Sequence, residues 1–227
     1  MGVAVKPMIL IRHGEAEHLV RDLMGGWTDT ELTELGRSQA ASLALRLKRE
    51  LTDAPLRLYC SDLKRAVQTA EIIGRELGLT PRPFRELREI NNGVAAGMTA
   101  EEARRHYTEP SEPLLDWRPY PGGETWREFY SRVSVFMERL ANSDLPAIIV
   151  AHGGTIMQIV SWWLGLDLET ISRVSFRTSP ASVSVLDVTE LGESRIERLN
   201  DTAHLYPMGL SERISLRALR TPNDDQL

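Results

Sequence analysis

The chain has 227 residues, enough for one sizeable domain with a true core, and 42% of them are hydrophobic. Its 27 Lys and Arg against 32 Asp and Glu leave a net charge of -5, which excludes a broad basic surface for nucleic acid or acidic lipid, so any anion site must be local. The one cysteine, Cys60, excludes an internal disulfide, and no Cys and His stand at zinc-ligand spacing, so no structural metal is expected and the cytoplasm is the default compartment.

Val3 to Ile11 contains an apolar, β-branched run that stops at Arg12, His13 and Gly14, the pattern of a buried strand ending in a polar loop. The run is too short for a signal peptide or a membrane span, as is the stretch from Ile156 to Leu166. After a loop with Gly25, Gly26, Trp27 and Asp29, Thr33 opens a helix with Leu35, Gln39, Leu43, Leu47 and Leu51 at i, i+4 spacing, ended by Asp53, Ala54 and Pro55. Leu56, Leu58 and Cys60 predict a second strand. Ser61 or Asp62 then caps a helix with the face Leu63, Ala66, Val67, Ala70, Ile73 and Leu77, and Gly78 closes it.

Pro81 and Pro83 frame an extended piece, and Phe84 to Gly97 reads as a loop holding Glu86, Arg88 and Glu89. His106 to Gly123 is proline-rich, a surface excursion. Thr125 and Glu128 form a capping box ahead of Trp126, Phe129, Val133, Phe136, Met137 and Leu140, an amphipathic helix. Ala147 to Ala151 is another buried strand, followed at once by His152, Gly153, Gly154 and a third apolar helix. Ser182 to Val188 and Ser194 to Leu199 flank Gly192 and pair as a hairpin. From Pro207 the chain turns polar, a 207–227 tail whose last residues, Thr221 to Leu227, are expected to be mobile.

Strands alternating with helices, without repeat or linker, predict one α/β domain over residues 1–227, its sheet covered on both faces and its ligand beyond the carboxyl ends of the strands. Three such ends carry His13, Ser61 with Arg65 close behind, and His152. A phosphate monoester presents a dianion and a poor leaving alkoxide, so cleaving it without a metal takes cations, a nucleophile and a proton donor. Arg12 and Arg65 supply planar forks, and the helix after His152 points its free amides the same way. His13 supplies a nucleophilic imidazole, His152 a second donor, and Glu89 an acid for the leaving oxygen that afterwards activates water.

At these residues the sequence resembles the histidine phosphatase superfamily, also called phosphoglycerate mutase-like. Arg12, His13, Gly14 and Glu15 match its name-giving motif, and Gly26, Trp27, Asp29, Leu32, Thr33 and Gly36 the segment after it. Ser61, Asp62, Leu63, Arg65, Ala66, Thr69 and Ala70 match the second arginine motif. Leu87, Glu89, Gly93 and Gly97 match the acid loop, and Gly122, Gly123 and Glu124 a later loop. His152, Gly153 and Gly154 match the second histidine motif, and Asn200, Asp201, His204 and Leu205 the end of the domain. The resemblance implies a three-layer α/β/α fold with a mixed, mostly parallel six-stranded sheet, a phosphohistidine intermediate and no cofactor or metal. It implies His13 as nucleophile, Arg12, Arg65 and His152 as phosphate ligands and Glu89 as acid.

Gly153 joins these as a phosphate contact, and Gly25, Gly26 and Thr28 either shape a turn or form a substrate wall. Departures from the family pattern lie at Ala16, Leu19, Ala95, Ala96 and Met157, where polar side chains are common, so a less polar pocket is expected. The expected activity is hydrolysis of a small phosphorylated metabolite. Ala100 in place of a lysine and Gly154 in place of an asparagine set the chain apart from the mutases, the enzymatic alternative. A non-catalytic module that binds a phosphorylated ligand is the alternative of another class. His18, His106 and His204 read as packing or surface residues, with His18 near the pocket entrance; a homodimer stays open, and neither nucleic acid nor a membrane is an expected partner.

Overall fold

The computed structural model describes residues 6–51 and 55–210. The start of the first strand, the Asp53 and Ala54 helix stop and the tail from residue 211, including Thr221 to Leu227, lie outside the described residues. Six strands form one sheet: β1 (Met8–Arg12), β2 (Arg57–Ser61), β3 (Arg82–Phe84), β4 (Ala147–Ala151), β5 (Val183–Val188) and β6 (Ser194–Asp201), in the order β3-β2-β4-β1-β5-β6. The pairs β1–β4, β2–β4 and β2–β3 are parallel, and β5 is antiparallel to both β1 and β6, so the expected mixed, mostly parallel sheet is present.

Alternation along the central strands builds two cores. Met8, Leu10, Ile149 and Ala151 face α5 (Trp126–Ala141) and α6 (Gly153–Trp163). Ile11, Leu58, Cys60, Ile148 and Val150 face α2 (Glu34–Glu50) and α3 (Lys64–Leu77). Successive side chains on a strand point to opposite faces, so a wholly apolar strand such as β4 is buried on both. The helices bring the anticipated stripes: Leu43 and Leu47 on α2, Ala66, Ala70 and Ile73 on α3, and Phe129, Val133, Phe136, Met137 and Leu140 on α5. The capping box of Thr125 and Glu128 is formed on both sides.

One capping expectation is corrected. The residue before α3 is Leu63, which offers no capping oxygen; Ser61 Oγ accepts from the Leu63 amide at 3.3 Å, and Asp62 is engaged by Arg88. The free Lys64 amide is instead capped from a distant loop, by Asp29 Oδ1 at 2.8 Å. Short helices at Glu17–Val20 (α1), Ala100–Arg104 (α4) and Leu168–Ile171 (α7) were not anticipated. They are too short to show a helical period.

The parallel strands β1, β2 and β4 deliver their carboxyl ends side by side. Arg12 closes β1, Ser61 closes β2, and Ala151 leads into His152, the residue that precedes α6. Register pairs Arg12 with Ala151, so His13 and His152 leave neighbouring strands at the same level.

Candidate active site

The loop after β1 is pressed onto the start of α2. A side chain at Gly14 would place its Cβ 2.4 Å from the Gly36 carbonyl oxygen, and one at Gly36 would reach 1.9 Å from that of Glu15. Only glycine allows this approach. Thr33 Oγ1 accepts from the Gly36 amide at 3.0 Å, and Gln39, the polar member of the α2 stripe, accepts from the Glu15 amide at 2.8 Å. Thr69 Oγ1 accepts from the Gly14 amide. The backbone that presents His13 is therefore fixed from three sides.

His13 Nδ1 lies 2.7 Å from the Gly14 carbonyl oxygen. A carbonyl only accepts, so Nδ1 carries the proton and Nε2 holds the lone pair. Arg65 Nε donates to Nε2 at 3.2 Å, which agrees with that tautomer. Burial, then the Arg65 and Arg12 guanidiniums, push the His13 pKa well below its ordinary value, and the ring is neutral.

Arg65 is 1% exposed, and burial pulls even its pKa down to about 10. Nη1 donates to the Thr28 carbonyl at 2.6 Å and Nη2 to that of Gly26 at 2.8 Å. A guanidinium has five N–H donors; the three used here leave one on each terminal nitrogen. Gly26 and Thr28, expected as substrate wall, support Arg65 through their carbonyls. Gly25 packs under His18, where an added Cβ would lie 3.0 Å from the ring.

His152 is fully buried, its ring centroid 5.1 Å from that of His13, and neither of its nitrogens has a hydrogen-bond partner among the described residues. Burial, then Arg65, His13 and Arg12, lower its pKa well below the usual range. Both ring nitrogens of His152 therefore keep hydrogen-bonding capacity beside His13. Arg12 Nη1 donates to the Thr178 carbonyl at 2.5 Å, and its Cζ would lie 3.8 Å from a Cβ on Gly153, so the guanidinium sits against the open amides of α6.

Glu89 approaches from the loop after β3. Its Oε1 accepts from the Ile90 amide and its Oε2 from the Gly154 amide, both at 2.9 Å. A Cβ at Gly154 would lie 2.3 Å from Glu89 Oε1, so glycine is what lets this carboxylate reach the start of α6. Glu86, the neighbouring acid, turns away to Arg139 at 3.3 Å. All five residues expected to carry catalysis therefore meet at one end of the sheet.

His18, read as a packing or surface residue near the pocket entrance, has its ring 5.9 Å from His13 and a pKa lowered to about 4 by burial, Arg65 and Arg12. The supports beneath Glu89 were not anticipated. Arg132 donates to the carbonyls of Glu86, Arg88 and Glu89 and forms a two-pronged ion pair with Glu124, while Trp27 Nε1 also donates to the Glu89 carbonyl. Arg132 lies on the polar side of an amphipathic helix, where an arginine gives no signal of its own. Glu124 also accepts from the Asn91 amide, which ties it to the Glu89 loop.

The family model of the histidine phosphatase superfamily (branch 1) matches residues 8–202, and the chain belongs to this superfamily. It is 32% identical over 204 residues to phosphoserine phosphatase 1 of Hydrogenobacter thermophilus, covering 87% of this chain and 93% of that one. It is 29% identical over 202 residues to a 2,3-bisphosphoglycerate-dependent phosphoglycerate mutase of Nitrobacter hamburgensis, covering 84% and 96%. Among solved structures, a mycobacterial glucosyl-3-phosphoglycerate phosphatase in complex with inorganic phosphate superposes with a TM-score of 0.69 at 30% identity, covering 88% of this chain and 99% of that one.

Proposed function

We propose that this chain hydrolyses small phosphate monoesters through a phosphohistidine on His13, with no metal in the reaction. The observation that carries the reading is the tautomer of His13: Nδ1–H is tied to the Gly14 carbonyl, and the lone pair on Nε2 is directed at Arg65 in the space shared with His152.

A phosphoryl group bound there takes the two spare N–H groups of Arg65, the Arg12 guanidinium, a His152 ring nitrogen and the open amides at the start of α6 around Gly153. His13 Nε2 attacks phosphorus and the phosphorus–ester oxygen bond breaks; the leaving oxygen takes its proton from Glu89. The Gly14 carbonyl steadies the positive ring that results. Water then enters where the alcohol left, Glu89 removes its proton, its oxygen attacks phosphorus, and the phosphorus–nitrogen bond breaks with its electron pair returning to Nε2. Inorganic phosphate leaves, and Glu89 carries a proton for the next cycle. The clustered cations favour a dianion locally in a chain whose net charge is negative.

Phosphatase relatives support water as the acceptor. The mutase relative supports a second reading, in which the phosphoryl group passes to another hydroxyl. Turnover of an aryl phosphate in excess chelator, with and without a bisphosphate primer, tests both. Release of inorganic phosphate without primer is expected, lost in His13→Ala. Primer-dependent isomerisation of phosphoglycerate with negligible hydrolysis would replace the phosphatase by the mutase, and phosphopeptide binding without turnover would leave only a binding module.

A further inference from the structure

A second cationic site lies at the opposite end of the sheet. Arg57 opens β2 and Arg82 opens β3, whereas the active site takes the far ends of the strands; four residue steps along β2 separate the two levels by roughly 13 Å. Tyr59 pairs in register with Arg82, so Arg57, Tyr59 and Arg82 share the face covered by α5. They border a cavity of about 310 Å³ together with Arg139, Phe84, Leu140 and Asp144.

Three guanidiniums around one cavity repel one another, and the usual answer is a carboxylate for each. Arg139 has Glu86 at 3.3 Å. Arg57 and Arg82 make no ion pair and no side-chain hydrogen bond among the described residues, and Arg57 Nε is buried without a partner. Arg57 is half-buried and Arg82 exposed, so both guanidiniums keep donors for an anion in the cavity. Asp144, the acid on the rim, is also without an ion pair among the described residues. With Asp144 and the Glu86 partner of Arg139 both counted, the three guanidiniums leave the cavity one net positive charge. The cavity has an apolar wall: Phe84 packs edge-on against Tyr59 and Phe136, with the Arg139 guanidinium 5.6 Å from its ring centroid.

We propose that this cavity binds a small organic anion, its charged head between Arg57 and Arg82 and its apolar body against Phe84 and Leu140. The volume suits a compact ligand, at the lower end of the roughly 300 to 1,000 Å³ that small-molecule sites span. Arg139 connects the site to Glu86, in the turn that leads to Glu89.

Calorimetric titration with phenylphosphonate, an aryl anion with no ester bond to hydrolyse, tests this beside Arg12→Met, which weakens only binding at the catalytic end. Saturable binding is expected. Arg82→Met, at an exposed position that leaves the fold intact, weakens it by about tenfold or more, and Arg57→Met with Arg82→Met weakens it further. Asp144→Asn, which removes the competing charge, strengthens it severalfold. No saturable binding, or the same affinity in wild type and Arg82→Met, would overturn the proposal, whatever the outcome at His13.

Discussion

The two halves of the active site are held by different means. On the His13 side the partners come from strand ends and helix starts: Gly14 against Gly36, Gln39 under Glu15, Thr69 under Gly14, and Arg65 locked between His13, Gly26 and Thr28. On the Glu89 side the acid rides on a loop whose carbonyls are gathered by Trp27 and Arg132. The first half is buried and built to hold one geometry; the second is a partly buried loop tied by a few donors. The step that forms the bond to phosphorus needs fixed in-line geometry, whereas a proton carrier has to serve first the leaving oxygen and then water.

That contrast is sharpest in the response to substitution. His13→Ala removes the nucleophile and is expected to lower kcat by roughly 10⁴-fold or more for every substrate, with thermal unfolding near wild type as the control. Arg65→Met strips a phosphate donor and the orienting partner of His13 together. A loss of roughly 10² to 10³ in kcat/KM, independent of the leaving group, is expected.

On the other half, effects depend on what leaves. Glu89→Gln keeps the shape but cannot give up a proton, so alkyl phosphates should slow by roughly 10² or more while activated aryl phosphates lose about tenfold or less. Equal losses for the two classes would remove Glu89 from the acid role. Arg132→Met takes a donor from three carbonyls, of which those of Arg88 and Glu89 keep Thr155 Oγ1 and Trp27 Nε1, and leaves Glu124 without its ion pair; an alkyl-selective loss of about tenfold is expected, and a loss as large for aryl phosphates would erase the distinction between the halves.

The smallest effect is on stability. Burial holds the pKa values of His13, His18 and His152 below the ordinary value of 6.5. The unfolded chain therefore takes up protons first as pH falls, so the stability these rings contribute is complete above about pH 6.5 and declines below it, for His18 until about 4. Melting temperatures between pH 7 and 5 should fall, and His18→Asn should flatten the decline.

Much of this was legible in the sequence because it is periodic or abrupt. The apolar runs of β1 and β4 stop at His13 and His152, and that stop places both rings at the same sheet end. The Thr125 and Glu128 box gave the start of α5. Contacts that join distant loops left no such trace. Asp29 as the cap of α3, the Thr178 carbonyl on Arg12 and Arg132 beneath the Glu89 loop each link residues dozens of positions apart, with no local pattern to announce them. Glu89 was read as the acid, but no local pattern separates it from the neighbouring Glu86, since an acid in a loop is the commonest of surface residues.

The proposed reaction turns on covalent chemistry at one ring nitrogen. Rapid-quench mass spectrometry of the protein mixed with a substrate phosphate monoester, with tryptic mapping under alkaline conditions that preserve phosphohistidine, measures it directly. A transient phosphoryl group on His13 Nε2, formed and lost at rates at least as fast as turnover, is the expected result. Steady turnover with the label absent from His13, or on another residue, would contradict it.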